Sequence, residues 1–259
     1  MRLCLIQIVF ITLITISIGC SSPKVVPKPI QVETKVESNA DGILVTALVI
    51  EPFDIQSLSE LATYGSALEN QLKTRALQME GIEVRKVSAV DIPAIIASIG
   101  RVATQENVWH GQIFKWRDVQ QHQVPYQGMV VAKSGIPYFI DSGFLSLLAR
   151  SWLVEREDGL FVYLQLLPSW HVPSKQSLVA GRSARPSQSK LFTELGLEIL
   201  LSDGEAVILG VELKKAQRTD GPLDDGPSPV RLGEAMFGLS ASREAVVLLV
   251  IESNILPRG

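Results

Sequence analysis

ILLSDGEAVILGVEL, Ile199 to Leu213, sets two apolar runs around a Ser-Asp-Gly-Glu corner. Asp-Gly between such runs predicts a β-hairpin centred on Asp203-Gly204, because the tightest hairpin turns need φ > 0 at their central positions. The surrounding sequence has the same texture. From Gln127 onward helical periods fade, and short apolar runs alternate with turn residues: GMVVAK, IPYFID, LLARSWLVE, LFVYLQLL, ELGLEILL, AVILGVEL and AVVLLVIESNIL. Glu157-Asp-Gly159 marks a second hairpin corner. Residues 127–259 therefore read as a β-rich antiparallel domain. Two polar interruptions, Pro173 to Lys190 and Lys214 to Pro229, read as long exposed loops.

The preceding residues read differently. A β-rich run starts at Ile43. Ser57-Leu-Ser-Glu60 fits a capping box, and Leu58, Leu61, Gly65, Leu68 and Leu72 follow at three- and four-residue steps along one helical face. That helix should end near Gly81, a C′ glycine. Ile82 to Val87 reads as a strand. Ser88 or Asp91 can cap a shorter helix through PAIIASI, with Pro93 in its first turn and Gly100 closing it. The expected fold class is α+β: a small β-α-β-α domain over 43–126, then the β-rich domain. Two strands make a poor sheet, so GQIFKW, Gly111 to Trp116, is expected to join the first two.

The first twenty residues are a separate object. MRLCLIQIVFITLITISIGC has one early positive charge, Arg2, and an apolar run from Leu3 to Ile18. That run falls short of the ~20 residues of a membrane-spanning helix and ends in small residues, as a secretory signal does. The ending Ser17-Ile-Gly-Cys20 resembles the lipobox of bacterial lipoproteins, with Ser17 where an aliphatic residue is usual. The resemblance implies a signal peptide over 1–19, cleavage before Cys20, and a diacylglycerol on its thiol. Cys20 is then the lipidation site, membrane lipid is a partner, and Ser21 implies the outer membrane with the body facing the periplasm. The alternative is an ordinary signal peptide, or an uncleaved anchor, with Cys20 incidental. Residues 20–42 contain three prolines after the cysteine and no helical period, and read as an extended tether. Cys4 lies in the leader, so a mature chain has no pair of cysteines to bridge.

The 259 residues, 46% apolar with a net charge of −3, suffice for a sizeable core and offer no basic excess for nucleic acid. Neither a catalytic nor a metal or cofactor site emerges. His110, His122 and His171 lack metal-ligand spacing. Asp220, Asp224 and Asp225 do not fit a calcium loop. No serine sits in a nucleophile elbow and no glycine loop cradles phosphate. Glu155 and Glu157 read as an exposed strand face. The chain is expected not to be an enzyme. Trp109, Trp116, Trp152 and Trp170 could line a ligand surface, although tryptophans in β-rich chains more often anchor cores or interfaces.

Four elements of the β-rich half, in order, resemble the bacterial secretin domain. Ala149 to Trp170 is similar to its strand pair around an Asp-Gly turn. Asp203-Gly204-Glu205, AVIL and Gly210 resemble its Asp-Gly signature, with Val211 where the family has a second glycine. SPVRLGEAMFG, with Gly233-Glu234, resembles its Gly-acid segment but lacks a following proline. SREAVVLLVIESNIL resembles its closing strand, with Glu252-Ser253 in place of Thr-Pro. The resemblance implies a degenerate relative of ring-forming secretion channels. It points to a lipoprotein with a structural role in a secretion or pilus apparatus, partnered by further copies of itself or by secretion-complex proteins. The other expectation is an envelope lipoprotein that binds a glycan or peptide through its β-rich half.

Overall fold

The computed structural model describes residues 40–52, 61–68, 70–172, 189–211, 230–238 and 245–258. The chain is mainly β, with few helices. Three strands come from its first part: β1 (Gly42–Pro52), β2 (Ile82–Ser88) and β3 (Gly100–Gly111). Then follow β4 (Ile113–Val124), β5 (Met129–Lys133), β6 (Ile136–Ile140), β7 (Gly143–Arg156), β8 (Gly159–His171), β9 (Ser189–Leu191), β10 (Leu197–Leu201), β11 (Glu205–Val211), β12 (Val230–Arg231) and β13 (Val246–Asn254). The helices are α1 (Gln71–Met79), α2 (Ile92–Ile99) and α3 (Leu232–Phe237).

The strands form three sheets. The first has the order β2-β11-β13-β1-β3, the second β10-β8-β7-β4 with β9 beside β8, and the small third β12-β5-β6. Every pairing is antiparallel except β12 with β5. The first two sheets share one apolar core, in which Val207, Leu209 and Leu249 of the first join Leu147, Val162 and Leu164 of the second. Each such side chain, fully buried, contributes about 1.5–3 kcal/mol.

The first sheet draws on both ends of the chain, so the strands of 43–126 do not form the separate β-α-β-α unit expected of them. β1 lies between β3 and β13, and β2 pairs with β11. Partners from the chain's end complete the sheet that two early strands could not. Nor does Gly111 to Trp116 join it. The segment starting at Ile113 crosses into the second sheet and pairs with β7, while β3 takes the place expected of it.

The Asp203-Gly204 corner is a turn but not a hairpin. β10 pairs with β8 in the second sheet, whereas β11 pairs with β2 and β13 in the first. Burial explains the crossing. β10 alternates buried and open residues, as a strand with one solvent face does, but six of the seven residues of β11 are buried. A strand apolar on both faces belongs inside a covered sheet rather than on a hairpin arm. The corner is tied from several sides. Glu205 N–H donates to Ser202 O at 3.2 Å, Ala89 N–H to Gly204 O at 2.8 Å, and Ile255 N–H to the Asp203 carboxylate at 3.2 Å. Gly204 takes φ +71°, the left-handed conformation this turn requires.

Glu157-Asp-Gly159 does make a hairpin, with Arg156 opposite Gly159 between β7 and β8. A second two-residue hairpin joins β5 to β6 through Ser134-Gly135, both at positive φ.

The long helix expected from Ser57 to Gly81 shortens to α1. Its capping box lies outside the described residues. Leu61–Thr63 is a single 3-10 turn, and Ser66 exchanges backbone hydrogen bonds with Lys86 of β2, at 2.8 and 3.1 Å. Gly65 permits this: it sits at φ +57°, and a Cβ there would lie 2.1 Å from Lys86 O. At Ser66, pairing with the edge of β2 thus replaces the expected helix. Leu61 and Leu68 are buried all the same, but Leu72 is 83% exposed. Asn70 caps α1 by accepting from Lys73 N–H at 3.1 Å, and Gly81, at φ +82°, stands just beyond its end as expected. α2 matches its expected span, with Pro93 in the first turn, although Asp91 makes no side-chain cap bond. The signal peptide, Cys20, the tether and Lys214 to Pro229 lie outside the described residues, as does nearly all of the loop 173–190.

Candidate functional site

The strongest cluster of interacting polar and aromatic groups lies on the outer face of the second sheet. Alternation along β7 turns Leu147, Ala149 and Ser151 to the core, and Arg150 and Trp152 outward. β8 carries Tyr163 opposite Trp152 and Gln165 opposite Arg150. β10 sets Glu198 beside Gln165. Trp116 completes the row from β4. One face thus presents Trp116, Arg150, Gln165 and Glu198 across four strands, with Trp152 and Tyr163 one step along.

These side chains hold one another in place. The Arg150 guanidinium stacks 4.5 Å from the centre of the Trp116 ring and 5.7 Å from that of Trp152. Its Nε–H donates to Gln165 Oε1 at 2.9 Å. Gln165 Nε2 in turn donates to Tyr163 Oη at 3.1 Å and to Glu198 Oε1 at 3.2 Å. Trp152 and Tyr163 tilt against each other with centroids 4.8 Å apart. Burial and a hydrogen bond to Glu198 push the Tyr163 hydroxyl above its ordinary pKa, so it stays a neutral donor. No carboxylate forms an ion pair with Arg150 among the described residues.

Beside the row lies a hollow of about 220 Å³, walled by Lys73 of α1 and by Thr193 and Gly196 of the turn before β10. Lys73 is anchored there through Nζ, which donates to Glu194 O at 3.3 Å. The hollow has room for one sugar-sized ring. One aromatic ring, Trp116, lines it together with the Arg150 guanidinium, the Gln165 amide and the Glu198 carboxylate, groups that can hold a ring with an apolar face and a polar edge.

Of the four tryptophans, then, the structure brings together Trp116 and Trp152. Trp170 points to the core at 8% exposure, its Nε1–H donating to Asp141 O at 3.1 Å. Trp109 lies on β3 opposite Leu44, in the other sheet. The partners Arg150, Tyr163, Gln165 and Glu198 were not singled out in the sequence. Their signal was the two-residue step of Arg150 to Trp152 and of Tyr163 to Gln165, which puts each pair on one strand face.

The histidines stay apart. His110 is on β3, with its pKa lowered by burial and by nearby Arg117. His122 is on β4, lowered by burial. His171 stacks on Phe144 at 5.8 Å. Glu155 is the last residue but one of β7, while Glu157 lies in the turn rather than on the strand, and both are exposed. Asp220, Asp224 and Asp225 lie outside the described residues. Among the described residues no group of three His, Cys, Asp or Glu side chains is placed to hold a metal, and no helix is long and apolar enough to cross a membrane. No family model matches the chain, no curated protein matches it, and no solved structure matches its fold, so the site is read from its own geometry.

Proposed function

We propose that this chain is a lipid-anchored envelope protein that binds a glycan or peptide ligand on the outer face of its second sheet. Diacylglycerol on Cys20 holds it to the outer membrane, residues 20–42 are the tether, and the body faces the periplasm. The observation that carries the binding reading is the Trp116–Arg150–Trp152 stack, pinned by Gln165 beside an open hollow. Trp116, 38% exposed, offers an apolar ring suited to an amphipathic ligand.

Titrating the purified chain with peptidoglycan fragments and with peptides, read by tryptophan fluorescence, tests this. Binding by the parent chain should weaken about 2- to 30-fold in Trp116→Ala, since ring stacking of this kind contributes about 0.5–2 kcal/mol. Equal binding by the parent and this variant, or none by the parent, defeats the reading.

A second reading is assembly with further copies or with a secretion complex, the role implied by the secretin resemblance. It draws on the β5–β6 hairpin and the residues leading into it, which hold Tyr126, Ile136 and Phe139 at 94, 69 and 56% exposure. Apolar patches of this sort are common at protein interfaces. Light scattering of the detergent-extracted chain separates the two readings, because a strictly monomeric species excludes ring assembly.

A further inference from the structure

The seam where β3 gives way to β4 is built differently from the rest of the body. Gln112 alone separates the two strands, yet they belong to different sheets, and each is an edge. Among the described residues β3 pairs with β1 alone and β4 with β7 alone. Between them lies a groove of about 460 Å³. Val45 and Ala47 of β1 and Glu106, Val108 and His110 of β3 form one side. Asp118, Val119, Gln120 and Gln121 of β4 form the other.

Two details show what this groove fits. The β3 residues that line it are every second one, so β3 and β1 offer a face. The β4 residues are four in a row across a bulge at Val119, where the ladder to β7 shifts register, so β4 offers its backbone edge there. The second sheet thus stops one strand short of covering the β1–β3 face, and Val108 is left 39% exposed on it. A strand added to β4 would bond the free N–H and C=O groups of that edge and pack its inward side chains on Val45, Ala47 and Val108. Adding a strand to an open edge draws affinity from backbone bonds and specificity from alternate side chains. Four residues of edge span about 13 Å, one short extended segment.

The groove also has a sign. Glu106 and Asp118 bring two carboxylates with no ion pair among the described residues. Burial and Arg117 both favour neutral His110, so the histidine adds no charge, and Arg117 beside it offsets one of the two carboxylates and leaves the groove net negative. We infer that the β3–β4 seam is a peptide-binding site that takes an extended segment of alternating apolar and basic residues as a further strand on β4. This site shares β4 with the tryptophan face, where Trp116 stands two residues before Asp118, but it uses the edge of β4 together with β3 and does not depend on that face's ligand.

The test uses the full chain and a blocked octapeptide of alternating valine and lysine, with two controls: glutamate in place of lysine, and proline in place of alternate valines. The lysine peptide should bind at least about tenfold tighter than either control, and should slow hydrogen exchange at the amides of residues 118–121. Ala47→Phe fills the groove and should abolish both effects. The exposed pair Glu106→Lys and Asp118→Lys should reverse the preference toward the glutamate peptide, which decides the matter even if Ala47→Phe fails to fold. Unprotected β4 amides at saturating peptide, equal binding of the three peptides, or an unchanged preference after charge reversal overturns the inference.

Discussion

The Lys86 ammonium lies 2.7 Å from the Glu205 carboxylate, joining β2 to the corner at which the chain passes from the second sheet to the first. Glu205 also accepts from Ser202 N–H at 2.8 Å. Burial alone would raise its pKa, but Lys86 and the bonds from Ser202 outweigh it and hold the carboxyl below its ordinary value. A depressed folded pKa contributes stability above the unfolded pKa, and that stability is lost as pH falls through the folded value. Glu205→Gln keeps an acceptor for Ser202 and removes only the charge. It should cost at most about 1 kcal/mol at neutral pH, because both partners are partly exposed. The difference from the parent should vanish in acid. Urea unfolding across the acid range reads both.

Glu252 carries the opposite sign. It sits in β13 between Leu44 of β1 and Ala206 of β11, where burial raises its pKa. Ionising it therefore costs stability as pH rises from the ordinary carboxylate range through the folded pKa, and the full cost applies above that. Glu252→Gln should raise the thermal midpoint at neutral pH, with the gain fading in acid. A gain independent of pH would show that packing, not charge, is responsible.

Gly233 and Gly204 should respond differently to substitution. A Cβ on Gly233 would lie 2.2 Å from Gly81 O and 2.8 Å from Ile82 Cγ1, where α3 meets the end of α1. Gly233→Ala must shift backbone and should cost about 1–3 kcal/mol. Gly204 has no atom within 4 Å of such a Cβ, and only its φ of +71° constrains it. Gly204→Asn, which tolerates that conformation, should be near neutral, while Gly204→Val should lose about 1–2 kcal/mol. Chemical denaturation of the three variants gives the ranking.

Cys20→Ser tests the anchor. With the thiol gone no lipid can be attached, and the chain should move from the membrane to the soluble fraction on cell fractionation. Unchanged membrane association would mean that an uncleaved leader or the body itself holds to the bilayer. Globomycin, which blocks lipoprotein signal cleavage, should leave the parent chain heavier and the variant unaffected.

The sequence by itself determined most strands and turns. The apolar runs after Gln127 became strands, Glu157-Asp-Gly159 made its hairpin, Gly81 ended a helix, and PAIIASI formed α2. Such features are set within a few residues by side-chain period and by the φ that glycine permits. Polar β3 was missed because an edge strand needs few apolar residues. Which strands neighbour one another was decided only in three dimensions. Asp203-Gly204 specifies a reversal of the chain equally well within one sheet or between two. It became a crossing because β11 is apolar on both faces and could bury both only between β2 and β13. The same long-range pairing dissolved the boundary at 126/127 by giving β1 a partner two hundred residues away. It also set Trp116, Arg150, Gln165 and Glu198 in one row, since a cross-strand site exists only once the register of four strands is fixed.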